Sequence, residues 1–227
     1  MSFWKGLRGK EPLMTESSLP VLVIGSGGHA KVLIDAMLLN RDRIEGITDT
    51  DVSKHGGSVL GVPVTGGDER ALKLPAHTIR LVNGFGSIRN TELRSKVFES
   101  FKAKGYSFHT VIHPASVIAA DVKIGEGAQI MAGAVIQAGS VIGANVIINT
   151  GTVVDHDCVI GAHSHLAPGV TVSGGVQIEE GVHVGTGATV IQGVRIGSRA
   201  TVGAGSVVLK DVPKGMTVVG VPAKTLK

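Results

Sequence analysis

The chain has 227 residues, 43% of them hydrophobic, with 22 Lys and Arg against 18 Asp and Glu and a formal net charge of +4. That apolar content excludes a disordered chain, and cations scattered among few aromatics argue against a nucleic-acid interface. No stretch of about 18 apolar residues offers a membrane span.

Residues 1–18 (MSFWKGLRGKEPLMTESS) show no periodicity and no apolar run after their basic residues, so they are expected to form a loose arm rather than a signal peptide. From Pro20 the pattern is that of a small α/β unit. VLVIG reads as a buried strand, GSGGHA as a turn, HAKVLIDAMLL as a helix with one apolar face, and IEGITD as a second strand. A Gly-rich connection leads to a third apolar run, HTIRLVNGFG, and then to the helical stretch SIRNTELRSKVFESFKAKG.

At Ala115 the chain begins to count in sixes. ASVIAA, DVKIGE, GAQIMA, GAVIQA and their successors run to GSVVLK at Lys210, sixteen hexads without an insertion. Every fourth position is aliphatic, from Ile118 to Val208; every second is small or β-branched; the first is usually Gly, which opens turn conformations closed to most residues. A strand and a turn per hexad give three walls per coil, so residues 18 apart should stack at roughly the 4.8 Å strand spacing. Aromatics at only 3% beside 33 glycines suit such a prism, whose interior is filled by Val, Ile and Ala.

A filled interior leaves chemistry to the corners and outer faces. The densest break in the neutral pattern is Asp155-His156-Asp157, followed by His163, His165 and, one coil beyond His165, His183. A histidine between carboxylates can be held in one tautomer and made more basic, as a general base requires; equally, a corner histidine can simply face solvent. Cys158, the single cysteine, excludes an intramolecular disulfide and a Cys-rich zinc site and fits a reducing compartment, so the cytoplasm is the expected location. It falls at the inward second position of its hexad, which favours core filler over nucleophile. In the first unit, Gly25-Ser26-Gly27-Gly28-His29-Ala30 is a loose variant of the glycine-rich phosphate turn, and Asp49 ends the second strand where an acid can hold a ribose or base.

The hexads, the NTGTVVDHDCVIGAHSHLAPG segment and the closing GVPAK resemble the bacterial nucleotide-sugar N-acetyltransferases and their sialic acid O-acetyltransferase relatives. The likeness runs from Pro20 to Lys227. It implies a Rossmann-like α/β domain over 19–110, followed by an all-β, left-handed parallel β-helix over 111–227. It further implies a homotrimer of three prisms with sites between neighbours. By the same resemblance His156 is the catalytic base and Asp157 orients it, although many relatives carry Glu there. Acetyl-CoA, as co-substrate, would touch Asn149, His165, Gly185, Thr186 and Ala204, with Lys210 or Lys224 meeting phosphates and His183 a further candidate for the groove. Gly27, Gly28, His29, Asp49 and Gly84 would hold the nucleotide-linked sugar; relatives often have a second acid where this chain has Thr50. The implied reaction is N-acetylation of a nucleotide-linked 4-amino-4,6-dideoxy sugar for surface polysaccharide, lipopolysaccharide O-antigen or glycan synthesis, in a ternary complex with no metal. O-acetylation of sialic acid or another sugar is the alternative. A three-histidine zinc site of the β-helix carbonic anhydrase kind, a nicotinamide-dependent dehydrogenase and a bare scaffold are more distant rivals.

Overall fold

A computed structural model describes residues 19–88 and 90–226, so the arm expected over 1–18 lies outside the described residues. In the first unit β1 (Val21–Ile24) leads into α1 (Gly28–Leu39) and β2 (Ile44–Thr48). A hairpin of β3 (Ser58–Val59) and β4 (Val62–Pro63), the short helix α2 (Asp68–Leu72), β5 (Arg80–Asn83), α3 (Glu92–Lys102) and β6 (Ser107–Phe108) follow. The four-stranded sheet runs β2-β1-β5-β6 with every pair parallel, a Rossmann-like arrangement.

Alternation along β1 explains the two layers packed on it. Val21 and Val23 face Ala30, Leu33, Ile34 and Met37 of α1, whereas Leu22 and Ile24 face Phe98 and Phe101 of α3. Both layers continue into the second unit: Val111 and Met131 join the α1 cluster, and Ala144 packs on the α3 cluster. The two units therefore share hydrophobic cores. The helix expected to open at Ser87 starts only at Glu92, whose amide donates to Asn90 Oδ1 at 3.2 Å. Residues 84–88 instead cross to the second unit, as the hydrogen bonds of Ser87 show below.

The second unit is a left-handed β-helix whose walls hold eight, six and five strands. Its first strand is Val111–Ile112, one hexad before the repeat becomes legible at Ala115, and it pairs in parallel with Gln129–Ile130. Register advances by 18 residues through the hexads, as in Gln129↔Ile147, Ile147↔His165 and His165↔His183, and by 16 at the closing pair Thr201↔Thr217. The aliphatic fourth positions from Ile130 to Val208 form one buried column, each fully buried Val or Ile contributing about 2 kcal/mol. Second-position hydroxyls tie coil to coil: Thr152 Oγ1 donates to the Ala167 carbonyl at 3.0 Å and Ser164 Oγ to that of Glu179 at 2.8 Å. First positions turn the corners with positive φ, including the non-glycine residues Asn145, Asp157, His163 and Arg199. Thr217–Val219 extends one wall and pairs antiparallel with Lys224–Thr225, which covers a strand edge near the end of the prism. Among the described residues no helix is long and apolar enough to cross a membrane.

Candidate active site

His156 ends the hexad after the strand Val153–Val154, at an exposed corner of the prism. Its Nδ1–H donates to Asp157 Oδ2 at 2.8 Å, and the Asp155 side chain accepts the His156 amide, also at 2.8 Å. The bond to Asp157, with a further contribution from the Asp155 charge, raises the imidazole pKa above its ordinary value. Asp157 does this from a left-handed backbone position, φ 58°, which Asp tolerates better than most residues. With Nδ1 committed, Nε2 keeps the free lone pair. One coil on, Gly174 lies against that atom: a Cβ there would come within 2.5 Å of Nε2. Ser173 and Gly175 donate their amides to the Val190 and His156 carbonyls, whereas the Gly174 amide has no acceptor among the described residues. A proton acceptor thus stands against a residue whose own N–H is unused among the described residues. Cys158, next in the chain, is buried in the prism core, where burial pushes its thiol pKa up.

A cavity of about 560 Å³ opens between the two units, lined on one side by His29, Gly86 and Ser87 and on the other by Asn149, His165, His183 and Thr186. It adjoins the corner that follows the His165–Leu166 strand, a different corner from that of His156. Burial, helped by the charges of His183, His29 and Arg94, holds the His165 pKa well below its ordinary value; burial lowers His183 and brings His29 down to about 4. Arg94 is fully buried, with no carboxylate partner among the described residues. It donates instead to the carbonyls of Phe85 at 2.8 Å, Asn83 at 3.3 Å and Asn145 at 3.1 Å, fastening the loop after β5 to the prism.

The other expected residues separate into two groups. Gly27 and Gly28 border a second hollow of about 440 Å³ with Ser26, Lys31 and Lys54, at the glycine-rich turn. Asp49 stands beside it, its Oδ2 accepting from the Ser26 amide at 3.0 Å and Lys54 Nζ at 2.9 Å and its Oδ1 from the Asp51 amide at 2.9 Å. Burial opposes the charge, yet these bonds and that of the Ser26 hydroxyl keep its pKa far below the usual carboxylate range. Gly84 borders the Ile24 and Gly25 carbonyls so closely that a Cβ would lie within 2.7 Å of both, a packing role for that glycine. Gly185 is buried beneath the turn of Ala204; Ala204 and Lys210 are exposed on the prism surface. Among the described residues no group of three or more His, Cys, Asp or Glu is placed to hold a metal ion. The sequence did not single out Ser87, Gln129, Arg94 or Gly174. Only the last had a signal, its place 18 residues after His156.

A prism of hexads carrying a paired His-Asp corner, joined to a parallel α/β domain by a polar cavity, defines a hexapeptide acyltransferase. Residues 139–174 and 175–210 match the model of the bacterial transferase hexapeptide (six repeats), and residues 20–101 match that of the PglD N-terminal domain. The acetyltransferase domain of PglB from Neisseria gonorrhoeae FA1090 is 37% identical, with 92% of this chain and 100% of that one covered and a TM-score of 0.84. PerB from Caulobacter crescentus, whose structure holds CoA and GDP-perosamine, is 42% identical with the same coverages and TM-score. A perosamine N-acetyltransferase of that organism is also known as histidine-to-asparagine and histidine-to-alanine variants, each with both ligands. WeeI from Acinetobacter baumannii AYE is 29% identical over 92% of this chain and 100% of its own, with a TM-score of 0.82. Comparison with curated protein sequences gives no match. The chain belongs to this family of two-domain hexapeptide acetyltransferases.

Proposed function

We propose that the chain transfers the acetyl group of acetyl-CoA to the amine of a nucleotide-linked 4-amino-4,6-dideoxy sugar, with His156 as general base. The observation that carries this reading is the His156 ring, its Nδ1 bonded to Asp157 at 2.8 Å and its Nε2 against Gly174. Relatives that bind CoA together with GDP-perosamine support the pairing of the two substrates.

Residues 19–110 hold the nucleotide sugar, with Gly27, Gly28 and His29 at the phosphate turn and Asp49 toward the ribose or base. Residues 111–227 hold acetyl-CoA along Asn149, His165, Gly185, Thr186 and Ala204, with Lys210 toward its phosphates. The neutral amine attacks the thioester carbonyl, forming the C–N bond. His156 Nε2 takes the amine proton, and Asp157 stabilises the imidazolium. The Gly174 amide donates to the oxyanion of the tetrahedral intermediate. Cleavage of the C–S bond then expels the thiolate of CoA, and His156 returns the proton to it, so no acyl-enzyme forms. His156 and the cavity occupy different corners of one prism, which favours a homotrimer in which neighbouring prisms complete each site. The setting proposed is cytoplasmic synthesis of surface polysaccharide or O-antigen precursors.

The test follows free thiol release from acetyl-CoA against GDP-, UDP- and dTDP-linked 4-amino sugars, with sialic acid alongside. Turnover of one amino sugar carries the proposal and names the nucleotide. Turnover of sialic acid alone moves it to O-acetylation, and no thiol release from any of them overturns both.

A further inference from the structure

The cavity between the units holds three imidazoles, two of them set by amides that can point only one way and one by a hydroxyl. Asn149 Oδ1 accepts the Thr150 amide at 2.8 Å, so it is the Asn149 NH2 that donates to His165 Nε2 at 3.0 Å. His165 therefore carries its proton on Nδ1 and donates to Ser87 Oγ at 2.6 Å. The Ser87 hydroxyl has one proton to give and, with His165 Nδ1 already a donor to it, His183 Nδ1 at 3.1 Å is its one protein acceptor among the described residues, so the proton goes there. His183 is left with its proton on Nε2, an atom with no protein partner among the described residues, on a ring that lines the cavity. A second chain sets the third ring. Gln129 Nε2 donates to the Asn83 carbonyl at 2.8 Å, so Gln129 Oε1 accepts from His29 Nε2 at 2.8 Å, and His29 keeps a lone pair on Nδ1.

The arrangement is one of recognition and not of proton abstraction. The rings lie close together, with centroids 6.5 Å apart for His29 and His165 and 5.2 Å for His165 and His183. Burial and the nearby Arg94 guanidinium disfavour a second proton on His165 and His29. The spare lone pair of His165 is taken by Asn149, and that of His183 by Ser87. What the cavity offers a ligand is an N–H at His183 and a lone pair at His29, and a hydroxyl is the group that answers both, since its oxygen accepts and its proton donates.

We infer that His183 is a specificity-determining residue that donates from Nε2 to a ring hydroxyl of the acceptor sugar, and that Ser87 is the positioning residue that fixes it as a donor. The inference rests on the reading of the chain as a sugar acetyltransferase. It assigns His183 a task apart from that of the base: His183 reads the sugar, while His156 takes the proton.

The test has two arms on the full chain. Two-bond 1H–15N correlation spectra of protein labelled with 15N-histidine, recorded without ligand, should show His183 protonated on Nε2 and His165 on Nδ1. In Ser87→Ala the His183 signals should move to a mixture of tautomers. In the kinetic arm His183→Ala should raise KM for the accepted sugar roughly tenfold, the scale of one lost hydrogen bond. KM for acetyl-CoA should stay within about twofold, and His183→Gln, which keeps an N–H near the same place, should restore most of the loss. A His183 proton found on Nδ1, an unmoved sugar KM in His183→Ala, or the two KM values rising together would overturn the inference. If the wild-type chain turns over sialic acid alone, the amino-sugar reading fails by itself, and the same KM comparison with that hydroxyl-bearing sugar still decides the role of His183.

Discussion

The corner at His156 and the cavity at His165 use one side chain on one scaffold to opposite ends. At the corner the ring stands in solvent, and a neighbouring carboxylate makes it more basic. In the cavity the rings are buried beside a guanidinium and made less basic, His29 down to about 4. The coil supplies the same strand geometry in both places. What differs is the company at the surface: Asp155 and Asp157 from the coil itself on one side, and on the other Ser87 from the loop after β5 and Arg94 from α3. A repeat can therefore prepare either an acid-base group or a neutral hydrogen-bonding wall without altering its backbone.

The contrast breaks most completely at His156. Replacement by Ala or Asn should lower kcat by about a hundredfold or more while calorimetry still registers binding of acetyl-CoA and the sugar; unchanged turnover would remove the base from this corner. Gly174→Ala should come next, with kcat down by about tenfold and an unaltered circular dichroism spectrum, because the added methyl would occupy the space of Nε2. If the methyl is tolerated, the ring is not held where the mechanism needs it.

Asp157→Asn sharpens the comparison through pH. A base must be neutral to act, so kcat/KM falls as pH drops through the His156 pKa, which Asp157 and Asp155 place above the ordinary imidazole value. Removing the larger of those two causes should move the acid limb to lower pH, with kcat reduced severalfold. The cavity histidines, shifted downward, remain neutral over that limb. A limb that does not move would assign the titration to another group. The smallest effect is expected at Cys158→Ala: activity unchanged in the thiol-release assay and a loss of roughly 1 kcal/mol in urea denaturation, since the side chain is small, buried and away from both groups. Loss of turnover there would contradict its place as core filler.

The coil was almost wholly legible because its information is local and repeated. A six-residue period with Ile or Val at the fourth place sets wall, core and corner together, and the 18-residue register follows. Asp157 and His163 at first positions were readable as turn residues, and both have positive φ. The hexad before Ala115 escaped because it opens on His109 instead of glycine and closes on His113-Pro114, although its Thr110 and Ile112 fit the pattern and Val111–Ile112 pairs like every other strand. The cavity was legible only in part. The roles of His29, Asn149 and His165 came from resemblance, but Ser87, Gln129 and Arg94 join the two units through partners 46 to 100 residues away and leave no spacing to read. His183 stood only as a further candidate for the groove; Ser87, on the loop crossing from β5, bonds to it, and the ring is buried.

Stacking by 18 also makes the prism a ruler. His165 and His183 are successive marks on one wall, His156 and Gly174 successive marks on one corner, each step about 4.8 Å. Adding or removing one whole coil would leave every wall continuous, whereas a change that is not a multiple of six would throw the aliphatic column out of phase. The distance between a base on one corner and a hydrogen-bonding wall on the next is thus set in integer steps, and a lineage can lengthen the prism beyond Gly187 without recalibrating either.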